Sequence, residues 1–413
     1  MISLFSLRPL LIATASLMVS IGPASAQPAP TVPPIFVAFC PNAITQNFPT
    51  VGPLQTTWWI CWREVAGNNS IANPNGLVIG PVYFRKSATA PFIRVLWDMR
   101  VSEYFVPYHP GSPRYYDLSG FNFKLTDVSA ADCPAAVGGT PISPHVCKEV
   151  RDRGLMWKDF RGVRRGEELV LWGAINAANY RYIQEYTFRD DGVITARMGA
   201  TGQNLPGAEL TPHAHNAIWR IDIDLNGVTN NAARLRHIES PFNPAGTAND
   251  TAIPITVAEG FTWSPRTHDS VEISNPVFRN EQGHLSSYQL IPLVTGGGLT
   301  QHYEAFTRNE FWVTPYNPAQ FAAKNLPTYV AGLAPVMNRD LVVWYKGSLH
   351  HHPRDEDGIY GQGHRWIGTA HVMWTGFMLM PHNLFDCSPF YRKPFLPEPS
   401  LERCPVPLVV DPG

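Results

Sequence analysis

A chain of 413 residues with a formal net charge of -1 at pH 7 has no electrostatic footprint for nucleic acid or an anionic membrane, since both need clustered positive charge. Charged residues make up only 16%, while 39 prolines, 32 glycines and 12% aromatics suit short strands joined by punctuated turns better than long helices. The length permits one large core or two modest domains. No linker stands out between Gly76 and Cys387, so one large domain is expected.

Residues 1–26 read as a secretory signal. Arg8 supplies the positive start, Leu10 to Ile21 the apolar stretch, and Ala24-Ser25-Ala26 a small-residue cleavage site before Gln27. The expected location is secreted or periplasmic, with no membrane association after cleavage. Export permits disulfides, and the six cysteines fall as three local pairs: Cys40 with Cys61, Cys133 with Cys147, and Cys387 with Cys404. Spacing alone leaves their connectivity open. Residues 27–75 are expected to form an N-terminal extension, 76–390 the main domain, and 391–413 a Pro-rich irregular tail.

Within the main domain, alternating segments recur at Leu169 to Ile175, Asn179 to Phe188, Val193 to Gly199 and Ala217 to Gly227. Turn signals such as Arg189-Asp190-Asp191-Gly192 and Asn226-Gly227 separate them, the pattern of an antiparallel all-β protein. In Asn179-Tyr180-Arg181-Tyr182, strand alternation puts Tyr180, Tyr182, Tyr186 and Phe188 on one face and Arg181, Ile183 and Glu185 on the other. An aromatic strand packing a core explains that equally well. His213 and His215, at i and i+2, point to one face, where both imidazoles can bind one metal. Their side continues as Ala217, Trp219, Ile221, Ile223 and Leu225, with Arg220, Asp222 and Asp224 opposite. A second cluster, His350-His351-His352, precedes Pro353-Arg354-Asp355-Glu356-Asp357 and reads either as a polar loop or as further metal ligands. The residues alone lead to a secreted β domain with a candidate histidine metal site.

The order of motifs resembles the catalytic domain of the copper-containing amine oxidases over residues 76 to 390. Gly76 to Ile79 and Glu103 to Tyr108 resemble that family's first strands, and Tyr115 to Gly120 the segment carrying its catalytic aspartate. Val146 to Lys148 and Leu155 to Lys158 resemble the stretch before the cofactor strand. Asn179-Tyr180-Arg181-Tyr182 is similar to the family's Asn-Tyr-Asp/Glu-Tyr signature, and His213-Ala214-His215 falls where the family has its copper pair. Phe311 to Tyr316, Val343 to Tyr345, His351 to Asp357 and Gly376 to Asp386 complete the match.

The resemblance implies a large antiparallel β-sandwich, a homodimer, and oxidation of a primary amine by dioxygen to aldehyde, ammonia and hydrogen peroxide. It implies copper(II) on His213, His215 and His351, and topaquinone derived from Tyr180 beside Asn179. The quinone forms a Schiff base with the amine, Asp117 removes the α-proton, and Tyr108 orients the quinone. It also implies calcium on Asp222, Asp224 and Asp340 with the carbonyls of Ile223 and Leu341, although outward-facing aspartates are also ordinary solvated residues.

Three departures stand beside the match. The family's extra N-terminal domains are expected to be absent. The segments from Asp117 to Tyr180 and from Tyr180 to His213 look short. Arg181 occupies an acidic position, where it is expected to face away from Tyr180 and form a surface pair with Glu185. The alternatives are a catalytically inactive copper-binding homologue and an unrelated β-sandwich binding module.

Overall fold

Period-two alternation organises the chain into two large antiparallel sheets in a computed structural model that describes residues 40–48, 55–65, 74–108, 114–160, 162–239, 249–293, 304–354, 357–360 and 366–389. The expected signal, the tail over 391–413, Cys404, Asp355 and Glu356 lie outside the described residues. The first sheet runs in the order Ala43–Phe48, Thr56–Val65, Gly76–Arg85, Asp98–Pro107, His213–Asp222, Leu341–His351, Phe311–Pro315, Glu259–Phe261. At the centre of the second, the strands Trp366–His382, Ile194–Gln203, Tyr180–Arg189, Gly162–Ala177 and Cys147–Asp159 lie side by side.

The sheets face one another across a shared aromatic core. Tyr104 of the first stacks on Tyr182 of the second with ring centroids 4.4 Å apart. Trp58 meets Phe84 at 4.5 Å in its own sheet and Phe188 at 5.5 Å across the gap. A buried aromatic of this kind is worth roughly 3–5 kcal/mol against alanine. Because Trp58 belongs to Thr56–Val65, the sheet and its core continue on the N-terminal side of Gly76. Two expected disulfides are present, Cys40–Cys61 and Cys133–Cys147.

The strand His213–Asp222 runs through the middle of its sheet, paired with Asp98–Pro107 on one side and Leu341–His351 on the other. Both of its faces are buried, and this corrects the expectation of an outward Arg220, Asp222 and Asp224. A second small core covers that outer side, built by Phe105, Ile218, Phe306, Trp312, Leu326 and Trp344. Arg220 donates to the carbonyl of Gln320 at 3.1 Å and lies over the ring of Phe321. Its neighbours on that face therefore sit in protein instead of water.

Candidate metal and quinone centre

Three imidazoles converge because of strand register. His213 and His215 share a face by alternation, and His351 is the direct cross-strand partner of His213. All three are buried, with candidate ligand atoms within 4.8 Å of one another. The rings of His350 and His352 lie 3.7 Å apart, and neither joins the cluster, so the register selects one histidine of the three. Burial, the largest effect in each case, depresses the proton affinity of all three imidazoles. His213 and His351 fall to about 4, and His215 falls well below the usual histidine range. Neutral imidazoles are the form that ligates a metal.

Hydrogen bonding decides which nitrogens are available. His213 Nδ1 lies 2.8 Å from the Thr211 carbonyl, and His215 Nδ1 lies 3.1 Å from the Tyr182 hydroxyl. Each pairing leaves Nε2 as the donor atom, and Nε2 of His215 is buried with no hydrogen-bond partner among the described residues. A buried imidazole nitrogen without a partner is costly, and a bound cation removes that cost. The donor set fits copper(II): three neutral imidazoles, two of them oriented by the Thr211 carbonyl and the Tyr182 hydroxyl.

Tyr180 opens its strand directly after the hairpin turn at Ala178-Asn179, where Ala178 has a φ of 57°. Asn179 ties that turn to Gln203 with Nδ2 at 2.8 Å from the Gln203 carbonyl, and the Gln203 N–H returns a bond of 2.8 Å. The phenol so placed puts its oxygen 3.1 Å from His213 Nε2, 2.8 Å from His351 Nδ1 and 3.3 Å from the Asn204 Oδ1. Tyr108 stacks on His213 at 4.1 Å and shares a hydrogen bond with Tyr180. Burial raises the proton affinity of both phenols above the ordinary tyrosine range.

Asp117 reaches the same place from the first sheet. It follows the short strand Arg114–Tyr116, and its N–H donates to the Tyr104 carbonyl at 2.9 Å. Tyr182 donates to its Oδ2 at 2.8 Å. Burial raises the Asp117 carboxyl to about 7, opposed by the Tyr182 hydrogen bond and assisted by the charge of Glu103. Asp117, Tyr180, Tyr108 and Asn179 line one cavity of about 300 Å³, walled by Tyr115 and Phe121 among others.

A separate acidic cluster lies on the covered side of the histidine strand. Ligand atoms of Asp222, Asp224 and Asp340 fall within 4.8 Å of one another. Both oxygens of Asp222 and one each of Asp224 and Asp340 are buried without a hydrogen-bond partner among the described residues. Burial raises all three carboxyls, Asp224 to about 7 and Asp340 to about 6; acidic neighbours add to the rise at Asp222 and Asp224, while Arg94 at 3.2 Å offsets part of the charge on Asp224.

Arg181 does not pair with Glu185, contrary to expectation. Its guanidinium donates to the carbonyls of Ala178 and Tyr180 at 2.9 and 3.0 Å, while Glu185 is engaged by Arg197 Nε at 2.9 Å. The side chain folds back on its own turn, and the acidic residue takes the cross-strand partner that register supplies. Sequence reasoning missed Asn204 and the role of Tyr182 as the link between Asp117 and His215. Tyr182 was legible as a same-face neighbour of Tyr180; Asn204, in the loop after its strand, carried no periodic signal.

The family model for the enzyme domain of copper amine oxidases matches residues 141–395. That match begins after Tyr108 and Asp117. Among curated relatives, a histamine oxidase from Arthrobacter globiformis is 28% identical over 368 residues, 73% of this chain and 52% of that protein. The peroxisomal copper-containing amine oxidase alpha 2 of Arabidopsis thaliana is 25% identical over 399 residues, 78% of this chain and 58% of that protein. The chain thus spans little more than half the length of these relatives. The crystal structure of a copper-containing benzylamine oxidase from Hansenula polymorpha shares the fold, with a TM-score of 0.59 at 18% identity over 82% of this chain and 60% of that one.

Proposed function

The chain belongs to the copper amine oxidase family, and from that membership we propose that it oxidises a primary amine with dioxygen and water to aldehyde, ammonia and hydrogen peroxide. One observation carries the reading: the Tyr180 hydroxyl lies within hydrogen-bond distance of two imidazoles of the triad, in a cavity that also holds a carboxylate. When bound, copper supplies redox chemistry with dioxygen, and a quinone made from Tyr180 supplies an electron sink that no ordinary side chain offers.

The residues have distinct tasks. His213, His215 and His351 hold the metal. Asp117 accepts the proton from the carbon that bears the amine, a task suited to a carboxyl at about 7. Tyr182 fixes the orientation of that carboxyl, and Tyr108 with Asn204 fixes the ring at position 180. Asn179 anchors the turn from which the ring projects. Arg181 engages backbone carbonyls, so its charge is directed away from the phenol oxygen. Apolar and aromatic side chains, among them Val106, Leu205, Tyr115 and Phe123, line the cavity around the reacting atoms.

The reading includes calcium on Asp222, Asp224 and Asp340, supported by their unpartnered buried oxygens, with main-chain carbonyls of Ile223 and Leu341 as further ligands. It also includes export and a homodimer. Two disulfides support an oxidising compartment, and analytical ultracentrifugation of the purified chain tests the dimer. The experiment for the main claim is a visible spectrum of copper-reconstituted, aerated protein before and after phenylhydrazine. A quinone band that shifts on addition is expected, together with peroxide release from a primary amine. A colourless, fully metallated protein overturns the reading.

A further inference from the structure

Glu103 is a buried carboxylate that the roles above leave unused. It lies in the strand Asp98–Pro107, 3% exposed, beside an irregularity in the pairing with the histidine strand between Ile218 and Trp219. Its Oε1 accepts from Leu118 N at 2.8 Å and from Tyr104 N at 3.0 Å. Its Oε2 accepts from Ser119 N at 3.3 Å and from the Ser119 hydroxyl. Both N–H groups that follow Asp117 are thus captured by one side chain, while the N–H of Asp117 itself is held by the Tyr104 carbonyl. Burial raises the Glu103 carboxyl to about 7, and the hydrogen bonds from Ser119, Leu118 and Tyr104 oppose that rise by favouring the ionised form.

We infer that Glu103 is a positioning residue for Asp117, pinning the turn that carries it and acting on it electrostatically; the inference rests on the reading of Asp117 as the proton acceptor. A neutral acceptor meets the hydrogen-bonding needs of a turn at lower desolvation cost, so a buried ionisable carboxyl here needs a further reason. The reason available is field. The groups facing Asp117 are Tyr182, Tyr104, Tyr108 and Glu103, and those facing Glu103 are Tyr104, Tyr116, Ser119 and Asp117. Among the described residues Glu103 is the one other carboxylate that acts on Asp117. In the ionised form that its four donors favour, Glu103 disfavours ionisation of Asp117 and so keeps the base strong enough to take a carbon-bound proton.

The test uses the full chain, copper-loaded and aerated. Glu103→Gln keeps an oxygen acceptor but removes the charge, so the acidic limb of kcat/KM should move to lower pH with quinone content by phenylhydrazine titration unchanged. Glu103→Ala should lower kcat roughly 10–100-fold through misplacement of the base, and Glu103→Asp should restore part of it. In the metal-free protein, amide exchange at Leu118 and Ser119 should quicken in the alanine variant. Should that variant fail to fold, Ser119→Ala removes one clamp and carries the same exchange readout. A Glu103→Gln pH profile that superimposes on the parent, with Asp117→Asn inactive, overturns the inference alone. An Asp117→Asn protein with normal turnover overturns the reading of the base instead, whatever the Glu103 variants do.

Discussion

Tyr180 holds its hydroxyl 2.8 Å from Nδ1 of His351, a residue 171 positions further along the chain. Each sheet contributes one of the two, so the contact exists only when both sheets are formed and in register. Conversion of Tyr180 is therefore expected to require an assembled triad. In aerated, copper-loaded protein, mass spectrometry of the peptide spanning Asn179 to Tyr182 should show oxidised tyrosine, and Tyr180→Phe should abolish both the modification and amine turnover. An unmodified peptide from fully metallated protein would point to an inactive copper binder, with Arg181→Asp as the rescue to attempt.

Copper itself should bind at about one ion per chain. Exchanging His213, His215 or His351 for alanine removes one of three protein nitrogens and should abolish stoichiometric metal in elemental analysis. Because His350 and His352 lie outside the cluster, their alanine variants should retain it. Full retention by His351→Ala, or loss in His350→Ala, would show that the strand register is misassigned.

How much of this was legible beforehand depends on distance in sequence. The pairing of His213 with His215 follows from alternation alone, and so does the shared face of Tyr180 and Tyr182. Nothing periodic singles out His351 among three consecutive histidines; only its pairing with His213 does so. Asp117 follows a strand of three residues, too short for a pattern, so in the sequence only the resemblance points to it. The burial of Asp222 was hidden because the cover on that face is supplied by residues such as Phe306 and Leu326, far away in sequence. Arg181 and Glu185 share a strand face, but the choice between a backbone carbonyl and a neighbouring strand is made by tertiary structure.

Asp117 should dominate the pH dependence of turnover. Its carboxyl is raised to about 7 in the folded protein, chiefly by burial, and only the ionised form accepts a proton. Turnover should therefore fall as pH drops through about 7. Asp117→Asn should slow amine oxidation by roughly 10²–10⁴-fold while leaving copper binding intact. Tyr182→Phe deletes a hydrogen bond that favours the ionised form, so the acidic limb should move to higher pH. Steady-state kcat/KM profiles decide both points; a Tyr182→Phe shift to lower pH contradicts the assignment.

The Cys133–Cys147 bridge closes a sequence separation of 14 residues between the turn that carries Asp117 and the strands that lead to Tyr180. Such a bridge contributes about 2–4 kcal/mol, largely by restricting the unfolded chain. The Cys133→Ser, Cys147→Ser double variant should unfold at lower denaturant concentration. A non-reducing peptide map should show this pair intact in the parent, and Cys133 joined to any other cysteine would refute the connectivity.

The acidic cluster gives the sharpest test of calcium, because the stabilisation that calcium brings should grow with pH. Asp222, Asp224 and Asp340 all have folded-state carboxyls raised above their ordinary value of 3.8, Asp224 to about 7 and Asp340 to about 6. Between pH 4 and 7, roughly, these three carboxyls hold more protons in the cation-free folded state than in the unfolded chain, so their contribution to stability falls as pH rises through that window. Calcium binds the ionised carboxylates and stabilises the native state by mass action, which offsets that fall most at the upper end. Melting temperatures measured in chelator and in millimolar calcium should therefore nearly coincide near pH 4 and separate steadily towards pH 7. Asp222→Asn, with one charge fewer among unpartnered oxygens, should reduce the separation and flatten the decline in chelator. Melting curves that respond equally to calcium at both ends of the range, or an Asp222→Asn protein that keeps the full response, would remove these three aspartates as the site.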